Sequence, residues 1–180
     1  RGLVTLPLVL PPLIGGLALL TLLGRGGVLG DFLLSIGIRL PFTTTAVIIA
    51  QTFVALPFLV ISLEGALRGL DPVFAESAAT MGAGATKTLF HVTLPMIAPS
   101  LLAGIILSFT RALGEFGATA LFAGNQADVT RTVPLAIYTA FNGAGVTQDT
   151  ALTLSFVLIV VSTIALVVLR PRHVDPLASN

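Results

Sequence analysis

The sequence predicts an all-helical, polytopic membrane protein, and composition, run length and pattern each lead there. Hydrophobic residues make up 55% of the chain and charged ones only 9%, where soluble domains carry roughly 25% charged residues. Mean hydropathy is +1.03. Uncharged apolar runs occupy residues 3–23, 43–63 and 151–169, each long enough to cross a hydrocarbon core, which takes about 20 helical residues. None alternates apolar with polar residues as barrel strands do, so the spans are read as helices. A fourth run, 94–110, is slightly short unless it continues past Arg111 toward Phe122. Four spans in one transmembrane domain, residues 1–180, is the expectation.

The elements follow in chain order. The first run opens directly after Arg1, not Met, and is read as belonging to an N-terminally truncated domain. Its Pro7, Pro11 and Pro12, and the lack of a small-residue cleavage site, argue against a cleavable signal peptide. Gly26, Gly27 and Gly30 mark a turn before the second run, which Pro57 is expected to kink. Asp71 before Pro72 is a helix start, because Asp caps free backbone donors and Pro suits the first helical position. A short helix should run from Pro72 to a turn at Gly82 and Gly84, with a second over residues 86–92 and Pro95 opening the next span. The tail PRHVDPLASN is too short and polar to be a second domain.

Orientation is read from Lys and Arg. Four spans put Arg1, Arg68, Lys87, Arg170 and Arg172 on one side and Arg25, Arg39 and Arg131 on the other, with Arg111 in or at the edge of a span. The first, more basic side is taken as cytoplasmic. It carries the polar, small-residue insert ESAATMGAGATKTLFHVTLP, residues 76–95.

Glu76, Ala78 and Gly82, then Val92, Leu94 and Pro95, closely resemble the cytoplasmic loop of ATP-binding-cassette (ABC) importer permeases, whose pattern is Glu-Ala-Ala, three residues, Gly, nine residues, Ile-x-Leu-Pro. Ser77 and Val92 depart conservatively from it. The resemblance implies a type I importer transmembrane fold and makes residues 71–95 a coupling loop, seated in a groove of an ATP-hydrolysing subunit. Independently, its small Ala and Gly side chains let a partner approach the backbone, and Glu76 offers a charge to a partner's Arg or Lys. The plainer reading is an ordinary connecting loop, which the matched spacing and sidedness outweigh. FTRALGEFGATALFAGN (residues 109–125), TRTVPLAIY (130–138) and LPLVLPPLIGG (6–16) resemble molybdate permeases, with tungstate and sulfate relatives close behind. That resemblance implies a dimer, normally of identical permeases, two ABC ATPase subunits that bind the ATP, and an external oxyanion-binding protein docking around residues 24–42 and 123–150.

Arg111 and Glu115 stand four apart on one helical face near or within the membrane, where ionisable groups face a bundle interior or a water-filled cavity. Two readings stay open: with Phe116 and Gly117 they line or shape the passage near its closure, or they form a structural ion pair at the membrane boundary. No high-affinity anion site is named, since a conduit must release what it admits. Hydroxyls of Thr43, Thr44, Thr45, Thr110 and Thr119 would serve for passing contacts.

Other chemistry lacks its residues. His91 and His173 stand apart from any ligand-spaced cluster, so no metal is expected. No nucleophile elbow, zinc-protease motif or phosphate loop with its Lys occurs, so no catalytic residue is assigned. The nine basic residues are scattered, which argues against nucleic acid, and the absence of cysteine is neutral about compartment. The expected function is a non-enzymatic permease subunit of an ATP-driven importer, first for molybdate, then for sulfate, thiosulfate or tungstate. An ion-coupled secondary transporter, with Glu64 or Glu115 as its proton-carrying carboxylate, ranks lower.

Overall fold

Two successive prolines decide how the first apolar run is built. Neither has an N–H to donate, so helix α1 (Gly2–Val9) stops before them and α2 (Pro12–Leu23) starts afresh with Pro12 in its first turn. The computed structural model describes residues 2–143 and 147–168, and every regular element among them is helical. Arg1, Arg170, Arg172, His173 and the tail 171–180 lie outside the described residues.

After a short helix α3 (Gly30–Ser35), α4 (Thr44–Arg68) opens on Thr43, whose side chain accepts a hydrogen bond from the Ala46 N–H. It runs on through a buried Pro57. Then come α5 (Pro72–Thr80), α6 (Ala85–Thr88), a π-turn over Leu89–Thr93 and α7 (Leu94–Leu113). The segment from Ala85 to Leu113 forms a single 29-residue helix. The fourth apolar run therefore gains its membrane-crossing length at its N-terminal end, not past Arg111 as considered from sequence. Pro95 cannot donate to the His91 carbonyl, and the wider π-turn immediately before it carries the helix past that missing bond. The second short helix expected over 86–92 is accordingly the foot of this span. Short helices α8 (Gly117–Phe122) and α9 (Val133–Phe141) precede α10 (Gln148–Val168). All four apolar runs are helical, three of them as helices long and apolar enough to cross a membrane: Thr44–Arg68, Ala85–Leu113 and Asp149–Val167. The first run is divided at Leu10 and Pro11 instead.

Among apolar lipid tails burial alone does not drive helices together, so close backbone approach must do so. Small residues sit at the crossings. A methyl group on Gly16 of α2 would stand 2.7 Å from Ala118 Cα in α8, and one on Gly104 of α7 would stand 2.7 Å from Ser62 Cβ in α4. Ser62 also donates to the Ser100 carbonyl at 3.1 Å, tying α4 to α7 by a hydrogen bond. The core lies where α2, α4 and α8 meet, around Leu19, Ala46, Ala50, Val54, Ala118, Phe122 and Ala123. Beside it, α9 packs against α10, whose Leu152, Phe156 and Ile159 remain exposed for lipid or another subunit.

These contacts make a direct prediction. Gly16→Val meets the α8 backbone and should cost about 1–3 kcal/mol by overpacking. Gly65→Ala in α4 meets nothing within 4 Å and should be neutral or gain about 0.5 kcal/mol in helix propensity. Melting temperatures of the detergent-solubilised protein separate the two, and equal values would contradict the Gly16 crossing.

Candidate functional site

The 71–95 segment forms a protruding knob. Asp71 caps α5 as its sequence requires, its Oδ1 accepting the Val73 N–H at 3.0 Å, with Pro72 in the first turn. No residue of α5 is buried. The helix closes in a Schellman turn: Gly82 N–H donates to the Ala79 carbonyl and Ala83 N–H to the Ala78 carbonyl, both at 2.9 Å. That closure needs φ = +81° at Gly82, which glycine adopts without penalty. The spacing of Ala78 and Gly82 is thus the spacing of this turn.

Glu76 and Ser77 are exposed on α5; the Ser77 carbonyl accepts from the Met81 N–H and the Thr80 hydroxyl. Val92 is half-buried in the π-turn, Leu94 is half-buried at the first residue of α7, and Pro95 is exposed. The structure therefore gathers all seven residues into one knob and the foot of one span, since α5 packs on α6 and on the π-turn. Sequence reasoning missed the knob's apolar surface. Phe74, Met81 and Phe90 are 50%, 87% and 60% exposed, and these large apolar side chains in and just ahead of a polar insert were the available signal.

At the far end of α7, Gly114 ends the helix and the chain folds back into α8. Glu115 sits in that corner, 1% exposed. Its Oε2 accepts from Arg111 Nη1 at 2.8 Å, and its Oε1 accepts from the Ala118 N–H at 2.9 Å. The pair is geometrically real, and Glu115 additionally caps the first turn of α8. Phe116 is half-buried with its ring 5.2 Å from that of Tyr138. Gly117 is buried against Pro12 and Leu13 at the start of α2, where a methyl would come within 3.0 Å of the Leu13 nitrogen. Arg111, Glu115, Phe116 and Gly117 thus form one packed corner.

The connections on the same end are polar and tied down. Arg131 Nε donates to Asn125 Oδ1 at 3.0 Å, Asn125 Nδ2 to Thr139 Oγ1 at 2.8 Å, and Thr139 Oγ1 to the Leu135 carbonyl at 2.7 Å. Thr44 Oγ1 donates to the Val129 carbonyl at 3.0 Å, fastening the start of α4 to this loop. Thr43 and Thr110 spend their hydroxyls on the Leu40 and Ile106 carbonyls. The Thr119 hydroxyl is buried without a partner. At the knob end, Glu64 pairs with Arg68 at 3.0 Å. His91 Nδ1 lies 3.1 Å from the Lys87 carbonyl, and no metal-holding cluster of His, Cys, Asp or Glu occurs among the described residues.

A family model described as binding-protein-dependent transport system inner membrane component matches residues 1–178. The molybdenum transport system permease protein ModB of Mycobacterium tuberculosis is 51% identical over 181 aligned residues, which cover 100% of this chain and 66% of that protein. The sulfate transport system permease protein CysT of Salmonella typhimurium is 39% identical over 137 residues, 76% of this chain and 50% of its own length. In fold, the chain is similar to a bacterial alginate ABC transporter crystallised with an alginate pentasaccharide-bound periplasmic protein. That match has a TM-score of 0.68 at 24% identity, over 93% of this chain and 62% of the other. The chain spans just under two thirds of the length of its mycobacterial relative, 66%.

Two outcomes test the site's construction. Gly82→Val forces a β-branched residue to positive φ, which costs about 1–2 kcal/mol; trypsin cleavage at Lys87 in detergent should accelerate roughly tenfold while Gly84→Ala, at ordinary φ, leaves it unchanged. Glu115→Ala strips the Ala118 N–H and Arg111 of their acceptor and should cost about 1–3 kcal/mol in thermal unfolding. Glu115→Gln, which keeps an acceptor for Ala118, should cost less.

Proposed function

Because this chain belongs to the family of binding-protein-dependent transport system inner membrane components, we propose that it is the membrane-spanning permease subunit of an ATP-driven importer of a tetrahedral oxyanion, molybdate first. It is a multi-pass protein of the inner membrane. The observation that carries the mechanism is the continuity of the knob with a span. α5 rests on the first turns of the Ala85–Leu113 helix, so a push on α5 moves a rod that crosses the membrane. Residues 71–95 are assigned as the coupling loop within the single 1–180 domain, on the cytoplasmic side. There Glu76 offers a charge and Phe74 and Met81 an apolar surface to an ATPase partner.

The assembly fitted by this reading has two permease copies, two ATPase subunits that bind and hydrolyse the ATP, and an extracytoplasmic binding protein. The fold relative crystallised with a periplasmic protein supports the last of these. Residues 24–42 and 123–150, which include the tied-down Arg131 loop, are where that protein would dock; residues 144–146 lie outside the described residues. Nucleotide then biases two global states, one open to each side. The corner of Arg111, Glu115, Phe116 and Gly117 lies at the end of α7 remote from the knob, where a closure would stand. Both Glu115 oxygens are engaged, which favours a fixed hinge over a proton carrier. The 51% identity to a molybdenum permease over the whole chain, against 39% to a sulfate permease over part of it, sets the order of anions.

Vesicles carrying the full-length permease, its ATPase and its binding protein should take up molybdate only with ATP, and tungstate should block uptake far more than sulfate. Equal competition by sulfate would reassign the anion, and flux without ATP would overturn the importer reading. Gly82→Val should insert normally yet lose uptake.

A further inference from the structure

A groove of about 350 Å³ runs between α4 and α7. On α4 it is lined by Ile48, Gln51, Thr52, Ala55, Leu56 and Leu59, the spacing of a single helical face. Ile105, Ser108, Phe109 and Ala112 face it from α7, so the groove is mainly apolar with its polar groups at Gln51, Thr52 and Ser108. The opposite side of α4, with Ala46, Ala50 and Val54, is packed into the core. The groove is therefore an outward face of the chain that bears three polar side chains.

Those three side chains are unspent. The Ser108 hydroxyl is buried without a hydrogen-bond partner, and neither Gln51 nor Thr52 makes a side-chain hydrogen bond within the described chain, where neighbouring Thr110 bonds back to the Ile106 carbonyl. Gln51 stands seven residues inside α4, about 10 Å from its start at 1.5 Å per residue. That depth is within the hydrocarbon layer, where an amide facing lipid costs several kcal/mol. Polar groups at such depth face a water-filled cavity or a bundle interior.

Resting on the permease reading, we infer that the groove of Gln51, Thr52 and Ser108 lines the hydrated passage through which the oxyanion moves. Neutral donors suit that task. A hydroxyl or amide N–H replaces part of the anion's hydration shell and lets go, whereas a cation at membrane depth would hold it. Arg111, the nearest guanidinium along α7, is already paired with Glu115. The polar groups that this half of the span offers to the passage are thereby neutral dipoles on a mainly apolar wall, instead of net positive charge.

The 180 residues contain no cysteine, so introduced thiols can be read singly. In the full-length permease assembled with its ATPase in membranes, Gln51→Cys and Ser108→Cys are treated with an anionic, membrane-impermeant methanethiosulfonate, with and without ATP. Leu107→Cys, one position from Ser108 and exposed on another face, is the control. A thiol in water ionises and one in lipid does not, so both groove positions should react at least about tenfold faster than Leu107→Cys in one of the two states. Molybdate should slow that reaction. Groove thiols as slow as the control in both states would overturn the inference even if molybdate uptake is normal. Fast labelling without molybdate uptake would keep the passage and sink the substrate assignment.

Discussion

The Glu115 carboxylate sits where α7 ends and α8 folds back, and much of the bundle depends on that corner. Burying a charge to 1% exposure costs several kcal/mol unless it is paired and hydrogen-bonded. Here one oxygen meets Arg111 and the other a backbone N–H left free by the start of α8. The bond lays α8 against α2, so that Ala118, Phe122 and Ala123 reach the core beside Ala46, Ala50 and Val54 of α4. Without the fold-back, α2 and α4 would have little to share. The close contact of Gly16 with Ala118 is possible only because both are small, so the carboxylate and the glycine serve one packing arrangement.

The other end of α7 obeys a different constraint. The knob makes no core, since none of α5 is buried, and its shape comes from its ends. Asp71 fixes where α5 starts and the Gly82 turn where it stops. A helix of 9 residues is too short to be stable alone, so these terminal bonds and its seat on the π-turn hold it in register with the span. Shape therefore passes from local capping to the long helix without a hydrophobic core between them. Such a part is suited to transmit force, while its exposed Phe74 and Met81 remain available to another surface.

How much of this was legible in the sequence varied with the kind of interaction. Caps and turns are local, so Asp71, Pro72 and Gly82 announced α5 correctly, and the Arg111 to Glu115 spacing announced their pair. Run length announced that all four apolar runs are helical. It did not show that Pro11 and Pro12 divide the first, because proline inside an apolar run can also be absorbed as a kink, as Pro57 in α4 shows that a helix can continue. Nor did it show that residues 85–93 join the next span. The sequence reads as a separate short helix over 86–92 with Pro95 opening the next span, and only the π-turn ahead of Pro95 joins the two into one helix. The second bond of Glu115, to Ala118, was also out of reach, since it depends on the direction in which the chain folds back.

The least legible feature was which side of a helix meets what. In α4 the residues Ala46, Ala50 and Val54 repeat at helical spacing and go to the core, while Ile48, Gln51, Thr52 and Ala55 repeat at the same spacing beside them. A hydropathy average sees one apolar run. Only after α2 and α8 claim the alanine face does the Gln51 face become an outward one. A polar face turned outward in a membrane chain must then be matched by water or by protein, because lipid offers its amides and hydroxyls nothing. The packing of small residues on one side thus defines, by exclusion, the chemistry required on the other.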